Sequence, residues 1–243
     1  MAFFDVHDVS KSFGGLMVIQ RLSFSLQEGE ILGVIGPNGS GKTTLFNLVT
    51  GFLRTDRGRI AFQGNEIANL RPSSVCKLGI TRTFQLVKPF AGLTVLQNVI
   101  AGRAYGREPA KDLKRAREES VELLDLTGLS RKQDAPASQL SVIDRKRLEI
   151  ARALATRPKL LLLDEVFAGL NPAETEESLL LIQKIKGLGT TLMIVEHVIR
   201  VILGVSDRVI VLSSGYKIFD GDPGEAVNDR KVIEAYLGED FHA

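Results

Sequence analysis

Cysteine is almost absent from this chain: 243 residues contain one, Cys76. A lone thiol closes no internal disulfide, which suits a reducing cytoplasm and leaves Cys76 as a small buried or half-buried apolar residue. No apolar run approaches the span of a bilayer, so if the protein works at a membrane another chain does the crossing. The first residues, Met1-Ala2-Phe3-Phe4-Asp5, lack a basic segment followed by a long apolar stretch, so no secretion signal is expected. Neither sign of charge is in excess, with 31 Lys and Arg against 29 Asp and Glu. No basic block is long enough to act as a nucleic-acid arm, so no nucleic-acid partner is expected. Internal repeats and low-complexity segments are also missing. What remains suits one large domain, or a core with an inserted subdomain, able to bury a sizeable interior.

The stretch Gly36-Pro37-Asn38-Gly39-Ser40-Gly41-Lys42-Thr43-Thr44 dominates what is present. The apolar-rich residues Ile31 to Ile35 precede it as a buried strand, and Leu45, Phe46, Leu48 and Val49 follow at helical spacing. Glycines between strand and helix remove the Cβ atoms that would hold backbone N–H groups away from phosphate oxygens, and they tolerate positive φ. The helix starting near Lys42 aims its N–H groups and positive dipole end at the anion. Lys42 supplies a point charge for the β and γ phosphates, and Thr43 a hydroxyl for magnesium, so ATP and Mg2+ are the expected ligands.

The rest of the chain reads around that loop. Residues 2 to 35 alternate in short runs broken at Gly14-Gly15 and Glu28-Gly29-Glu30, a pattern of strands and tight turns. There Phe13 suits either stacking on a nucleotide base or ordinary core packing. Gly51 is placed to stop the first helix. Arg59–Gly64 and Ile80–Gln85 read as strands. From about Lys88 to Leu140 the pattern turns helical, and in Lys111–Leu126 the residues Leu113, Ala116, Val121, Leu124 and Leu126 form one apolar stripe. The core resumes at Leu160-Leu161-Leu162-Leu163-Asp164-Glu165. Four leucines fit a parallel strand covered on both faces, with two acids at its C-terminal end, where such sheets bind ligands. Asp164 would hold magnesium and Glu165 would orient or deprotonate the attacking water. Thr190–Val195 is another buried strand, ending at Glu196-His197, with His197 a candidate contact to the γ phosphate. Asp207–Leu212 and Tyr216–Asp220 read as a hairpin, and residues 224–237 as a closing helix.

Taken in order, these residues resemble the ATPase subunits of ATP-binding-cassette transporters over essentially the whole chain. The resemblance implies an α/β P-loop NTPase (RecA-like) core, residues 1–87 and 150–243, with an antiparallel β subdomain and an inserted helical subdomain at 88–149. It implies that Phe13 stacks on the base, that Gln85 joins magnesium and couples to the membrane subunit, that Glu165 is the catalytic carboxylate and that His197 is the γ-phosphate switch. Ala168-Gly169-Leu170-Asn171 sits where the family has its dimer-contacting loop. Two such subunits would sandwich two ATP molecules on the cytoplasmic face of the inner membrane, beside integral permease subunits and, indirectly, a solute-binding protein. Arg82-Thr83-Phe84-Gln85, Leu93-Thr94-Val95-Leu96 and Glu234-Ala235-Tyr236-Leu237-Gly238 are similar to subunits of branched-chain amino-acid importers. Lipopolysaccharide exporters share much of this wording, and a non-transport cassette or weakly hydrolysing ATP switch is the rival of another class.

One segment departs from the family pattern. Where the pattern has Leu-Ser-Gly-Gly-Gln, this chain has Leu140-Ser141-Val142-Ile143-Asp144. Val142 and Ile143 add branched Cβ atoms where the glycines allow close approach to the opposite subunit's γ phosphate. Asp144 places an anion at a helix start, which favours the helix but opposes a nearby triphosphate. Ser141 keeps a hydroxyl able to bond to nucleotide. The expectation is hydrolysis in this chain's own loop only when a partner supplies an intact signature; the alternative is that backbone N–H donors serve regardless of side chain.

Overall fold

The computed structural model describes residues 2–85, 88–196 and 199–240. In chain order its elements are β1 (Phe4–Phe13), β2 (Leu16–Leu26), β3 (Ile31–Ile35), α1 (Lys42–Val49), β4 (Arg57–Phe62), β5 (Asn65–Glu66), α2 (Pro72–Leu78), β6 (Ile80–Arg82) and α3 (Val95–Tyr105). There follow α4 (Leu113–Leu126), α5 (Val142–Ala155), β7 (Leu160–Asp164), α6 (Pro172–Gly187), β8 (Thr191–Val195), α7 (Ile199–Val205), β9 (Arg208–Ser213), β10 (Tyr216–Gly221), α8 (Pro223–Ala226) and α9 (Arg230–Asp240). The chain divides into two compact units, Met1–Pro72 with Thr191–Ala243, and Ser73–Thr190.

In the first unit, β1 and β2 turn back at Gly14 and Gly15, both at positive φ, and pair antiparallel. With β4 and β5 they form a sheet in the order β2-β1-β4-β5, whose inward residues Phe4, Val6, Val9, Leu22, Leu26, Ile60 and Phe62 are buried. The β3 run is apolar because it is central: it pairs parallel with β8 on one side and β9 on the other, and all five residues are buried. Burying Ile31, Leu32, Val34 and Ile35 contributes about 1.5–3 kcal/mol per side chain. A Cβ on Gly33 would lie 2.6 Å from Ile202 Cγ2, so the glycine lets α7 pack directly on this strand. The β9–β10 hairpin turns at Ser214 and Gly215, as the sequence indicates. The expected closing helix is instead two, α8 and α9. Asp229 accepts hydrogen bonds from the backbone N–H groups of Lys231 (2.9 Å) and Val232 (3.1 Å), starting a new helix rather than continuing the old one.

In the second unit β6 and β7 pair parallel, and α3, α4 and α5 share a core of Val95, Leu96, Val99, Leu124, Leu129, Leu140, Leu148 and Ala151. Thr94 and Gln97 form a capping box at the start of α3. The β6 strand stops at Arg82, short of the expected Gln85; Thr83 still donates its N–H to the Leu162 carbonyl at 2.9 Å, and its hydroxyl accepts from the Asp164 N–H. The stripe expected on α4 is only partly buried. Ala116, Ser120 and Leu124, four residues apart, face inward, whereas Leu113 is 77% and Val121 37% exposed. Ser120 fits there because its hydroxyl donates to the Ala116 carbonyl. Cys76 is half-buried, within 3.7 Å of the Thr81 hydroxyl.

Candidate active site

The first unit carries the loop. Strand β3 delivers the chain to Gly36 and α1 takes it up at Lys42. Gly36, Gly39 and Gly41 have φ of 149°, 72° and 107°. A Cβ at Gly36 would lie 2.1 Å from the Leu212 carbonyl oxygen, and one at Gly41 2.8 Å from that of Val18, so both glycines are demanded by close packing. Gly39 has nothing within 4 Å of its notional Cβ and, with Asn38, faces solvent. The loop is thus tight against the protein and open outward. Pro37, Ser40 and Lys42 are buried, Thr44 is half-buried and Thr43 is exposed in the first turn of α1. No side chain caps that turn. Lys42 Nζ lies across the loop, donating to the carbonyls of Gly36 (2.7 Å) and Pro37 (2.8 Å). A helix start that no side chain caps, a buried ammonium and an exposed hydroxyl fit a triphosphate with its metal. Phe13 ends β1 at 44% exposure, with Lys11 Nζ 5.4 Å from its ring centre. Core packing is therefore excluded for Phe13. His197 lies outside the described residues; Glu196 before it is buried.

The second unit carries the acids. Asp164, 4% exposed, accepts from Arg82 Nη2 at 2.6 Å, and its backbone N–H donates to the Thr83 hydroxyl. Burial pulls the Arg82 guanidinium below its usual value, and Asp164 opposes that pull. Glu165 has left-handed φ, 51°, and its Oε2 accepts from Gln85 Nε2 at 2.6 Å. Two residues escaped the sequence reading. Arg82 had a signal, since an arginine inside a buried strand needs an acidic partner. Lys146 on α5 had none. Its ammonium donates to the carbonyls of Glu165 (3.2 Å), Val166 (3.2 Å) and Ala168. The Ala168–Asn171 loop has Gly169 at φ 74° and ends at Asn171, which caps α6 in a box with Glu174.

The same unit holds the variant signature. Ser141 caps α5, its hydroxyl oxygen accepting from the Asp144 N–H and its hydrogen going to Asp144 Oδ2 at 2.6 Å. Lys132 Nζ binds the same carboxylate oxygen. Asp144, an anion in the first turn of the helix, is 5% exposed and clasped from two sides. Burial raises its carboxyl, but hydrogen bonds from Lys132 and Ser141 outweigh that and hold it below the usual carboxylate range. Val142 is 68% exposed at the tip.

Comparison with known proteins follows these features closely. Residues 19–168 match a family model described as ABC transporter, and residues 217–242 one described as branched-chain amino acid ATP-binding cassette transporter. The high-affinity branched-chain amino acid transport ATP-binding protein LivG of Salmonella typhimurium is 37% identical over 247 residues, 96% of this chain and 97% of the relative. A solved ATP-binding cassette of an ABC transporter, in its ADP conformation, superposes with a TM-score of 0.89 at 33% identity, covering 98% of this chain and 99% of that one. A dimeric post-hydrolysis state of another ATP-binding cassette, bound to ADP and Pi, superposes with a TM-score of 0.82 at 25% identity over 90% of this chain and 98% of that one.

Proposed function

The chain belongs to the ATP-binding-cassette family of transporter ATPases, and from that premise we propose that it energises import of branched-chain amino acids from the cytoplasmic face of the inner membrane. The names of its relatives and the match at residues 217–242 support the solute class. The observation carrying the nucleotide chemistry is the glycine loop closed over buried Lys42. In this reading the loop N–H groups from Gly39 to Thr44 hold the phosphates, Lys42 balances charge at the β and γ positions and Phe13 stacks on the base. Thr43, Gln85 and Asp164 would hold magnesium, which when bound draws charge from the β and γ oxygens. Glu165 takes the proton of the attacking water, and His197 contacts the γ phosphate. The Gln85 amide donates to Glu165 Oε2 and orients the base.

Residues 88–149 form the helical subdomain in this reading; the core shared by α3, α4 and α5 supports a helical unit there, although α5 and its core residue Ala151 run past that boundary. The productive assembly is a pair of cassettes beside permease subunits, supported by the dimeric cassette this chain resembles. With Ser141 engaged by Asp144, the lid this chain offers is altered, and its own loop hydrolyses ATP only under a partner cassette with an intact signature.

Equilibrium binding of a fluorescent ATP analogue to the Lys42→Ala variant tests the loop. Binding is expected to disappear. Undiminished affinity with the native fold intact refutes the reading.

A further inference from the structure

Three consecutive basic residues follow the signature, and they do different things. Arg145 donates through Nη2 to the Ser138 carbonyl, and Arg147 pairs with Glu177. Lys146, between them, reaches the turn after β7 and meets three carbonyls, those of Glu165, Val166 and Ala168. Carbonyl oxygens converge poorly without a cation between them, and an ammonium has three hydrogens to give. The turn itself is unusual. Glu165 is a non-glycine residue at φ 51°, a state that persists only where the surroundings over-determine it. The N–H groups of Ala168 and Leu170 close the turn on the carbonyls of Glu165 (3.4 Å) and Phe167 (3.2 Å), the first shared with Lys146.

We propose that Lys146 is a positioning residue: it fixes the backbone of Glu165 and of the Ala168 loop to α5, making the segment offered to a partner cassette one rigid piece with this chain's own catalytic carboxylate. Ser141 caps α5 and Lys146 lies five residues on, about 7.5 Å along the axis of the same helix. A displacement at Ser141 is carried through that helix to the Lys146 ammonium and hence to the Glu165 carbonyl. The occupancy of one nucleotide site is in this way reported to the base of the other without any side chain crossing between them. The proposal rests on Glu165 being the base, and its test keeps the two ideas apart.

The test compares Lys146→Met and Lys146→Arg in the assembled transporter with the wild type and with Glu165→Gln. Lys146→Met is expected to lower kcat by about 10- to 100-fold, the scale of an ångström's misplacement of a catalytic group. Its ATP affinity should stay within about twofold of wild type, because the phosphate loop is untouched. Lys146→Arg, which keeps a charged donor at that point, should recover most of the loss. Hydrogen exchange of the amides from Val166 to Leu170 should quicken in Lys146→Met and not in Lys146→Arg. Unchanged kcat with unchanged exchange overturns the proposal, as does a joint fall of kcat and ATP affinity that arginine does not rescue. If Glu165→Gln turns over like wild type, the assignment of the base fails, and the exchange result alone then judges the clamp.

Discussion

Lys132→Met probes the clasp that replaces the glycines of the signature. The lysine is 50% exposed and the Asp144 side chain 7%, so the two halves of this pair stand in different dielectrics. An exposed ion pair contributes about 0.2–1 kcal/mol, whereas a hydrogen bond to a charged group contributes about 1.5–3 kcal/mol. The buried carboxylate pushes the value up and the wet ammonium pulls it down, which places the loss at about 1–2 kcal/mol. A domain of this size shifts by about 2–4 °C per kcal/mol, so the melting temperature should fall by roughly 2–8 °C. The dependence on pH distinguishes this cause from lost packing. Asp144 is held below the usual carboxylate range in the folded protein. Its contribution is therefore complete above the unfolded aspartate value of about 3.9 and is lost as pH falls through the lower folded value. In the variant the lysine no longer holds the carboxyl down, so it takes up a proton at higher pH and its burial ceases to be costly. The gap between wild type and variant should be widest near pH 7 and narrow toward about pH 4. Melting followed by circular dichroism reads both quantities. A gap near pH 7 below about 1 °C, or one that keeps its size on acidification, refutes the assignment.

Two further outcomes concern turnover. Glu165→Gln should slow ATP hydrolysis by roughly 10²–10⁴-fold and leave nucleotide binding intact; steady-state hydrolysis at the native rate would remove Glu165 from the mechanism. Restoring the family pattern with Val142→Gly, Ile143→Gly and Asp144→Gln should raise the ATPase rate of the chain studied alone by about tenfold or more, since donors approaching a transferring phosphate act on this scale. Brisk hydrolysis by the unmodified chain paired with itself would show that its lid was competent all along.

Much of the site was legible because phosphate chemistry leaves local marks. Strands β3 and β7 are covered on both faces, so they appear as unbroken apolar runs that end where ligands bind. Gly36 and Gly41 of the loop are dictated by contacts with Leu212 and Val18, and those contacts leave glycine in the sequence even though the neighbours are distant in it. Other features leave no such mark. Phe13 had two readings because burial of an aromatic at a hairpin end depends on where the turn falls, and here it leaves the ring outside. Lys132 ends a short 3-10 turn, Ser130–Lys132, outside the helix that carries Asp144, so no helical or strand period links their positions. Lys146 looked like its neighbours because a basic triplet on a helix gives no sign of which ammonium finds carbonyls. On α4 the apolar residues suggested a wider stripe than the helix uses, since the inward row passes through a serine and leaves Leu113 and Val121 outside it.

The ammonium of Lys42 lies across the loop on the carbonyls of Gly36 and Pro37. Under the proposed function, nucleotide capture at this loop would be an exchange reaction, in which two neutral acceptors give way to an anionic one, and the affinity would be the difference between them. The ligand does not have to organise the lysine, because its long side chain is already ordered, and arrival should be fast and nearly free of local refolding.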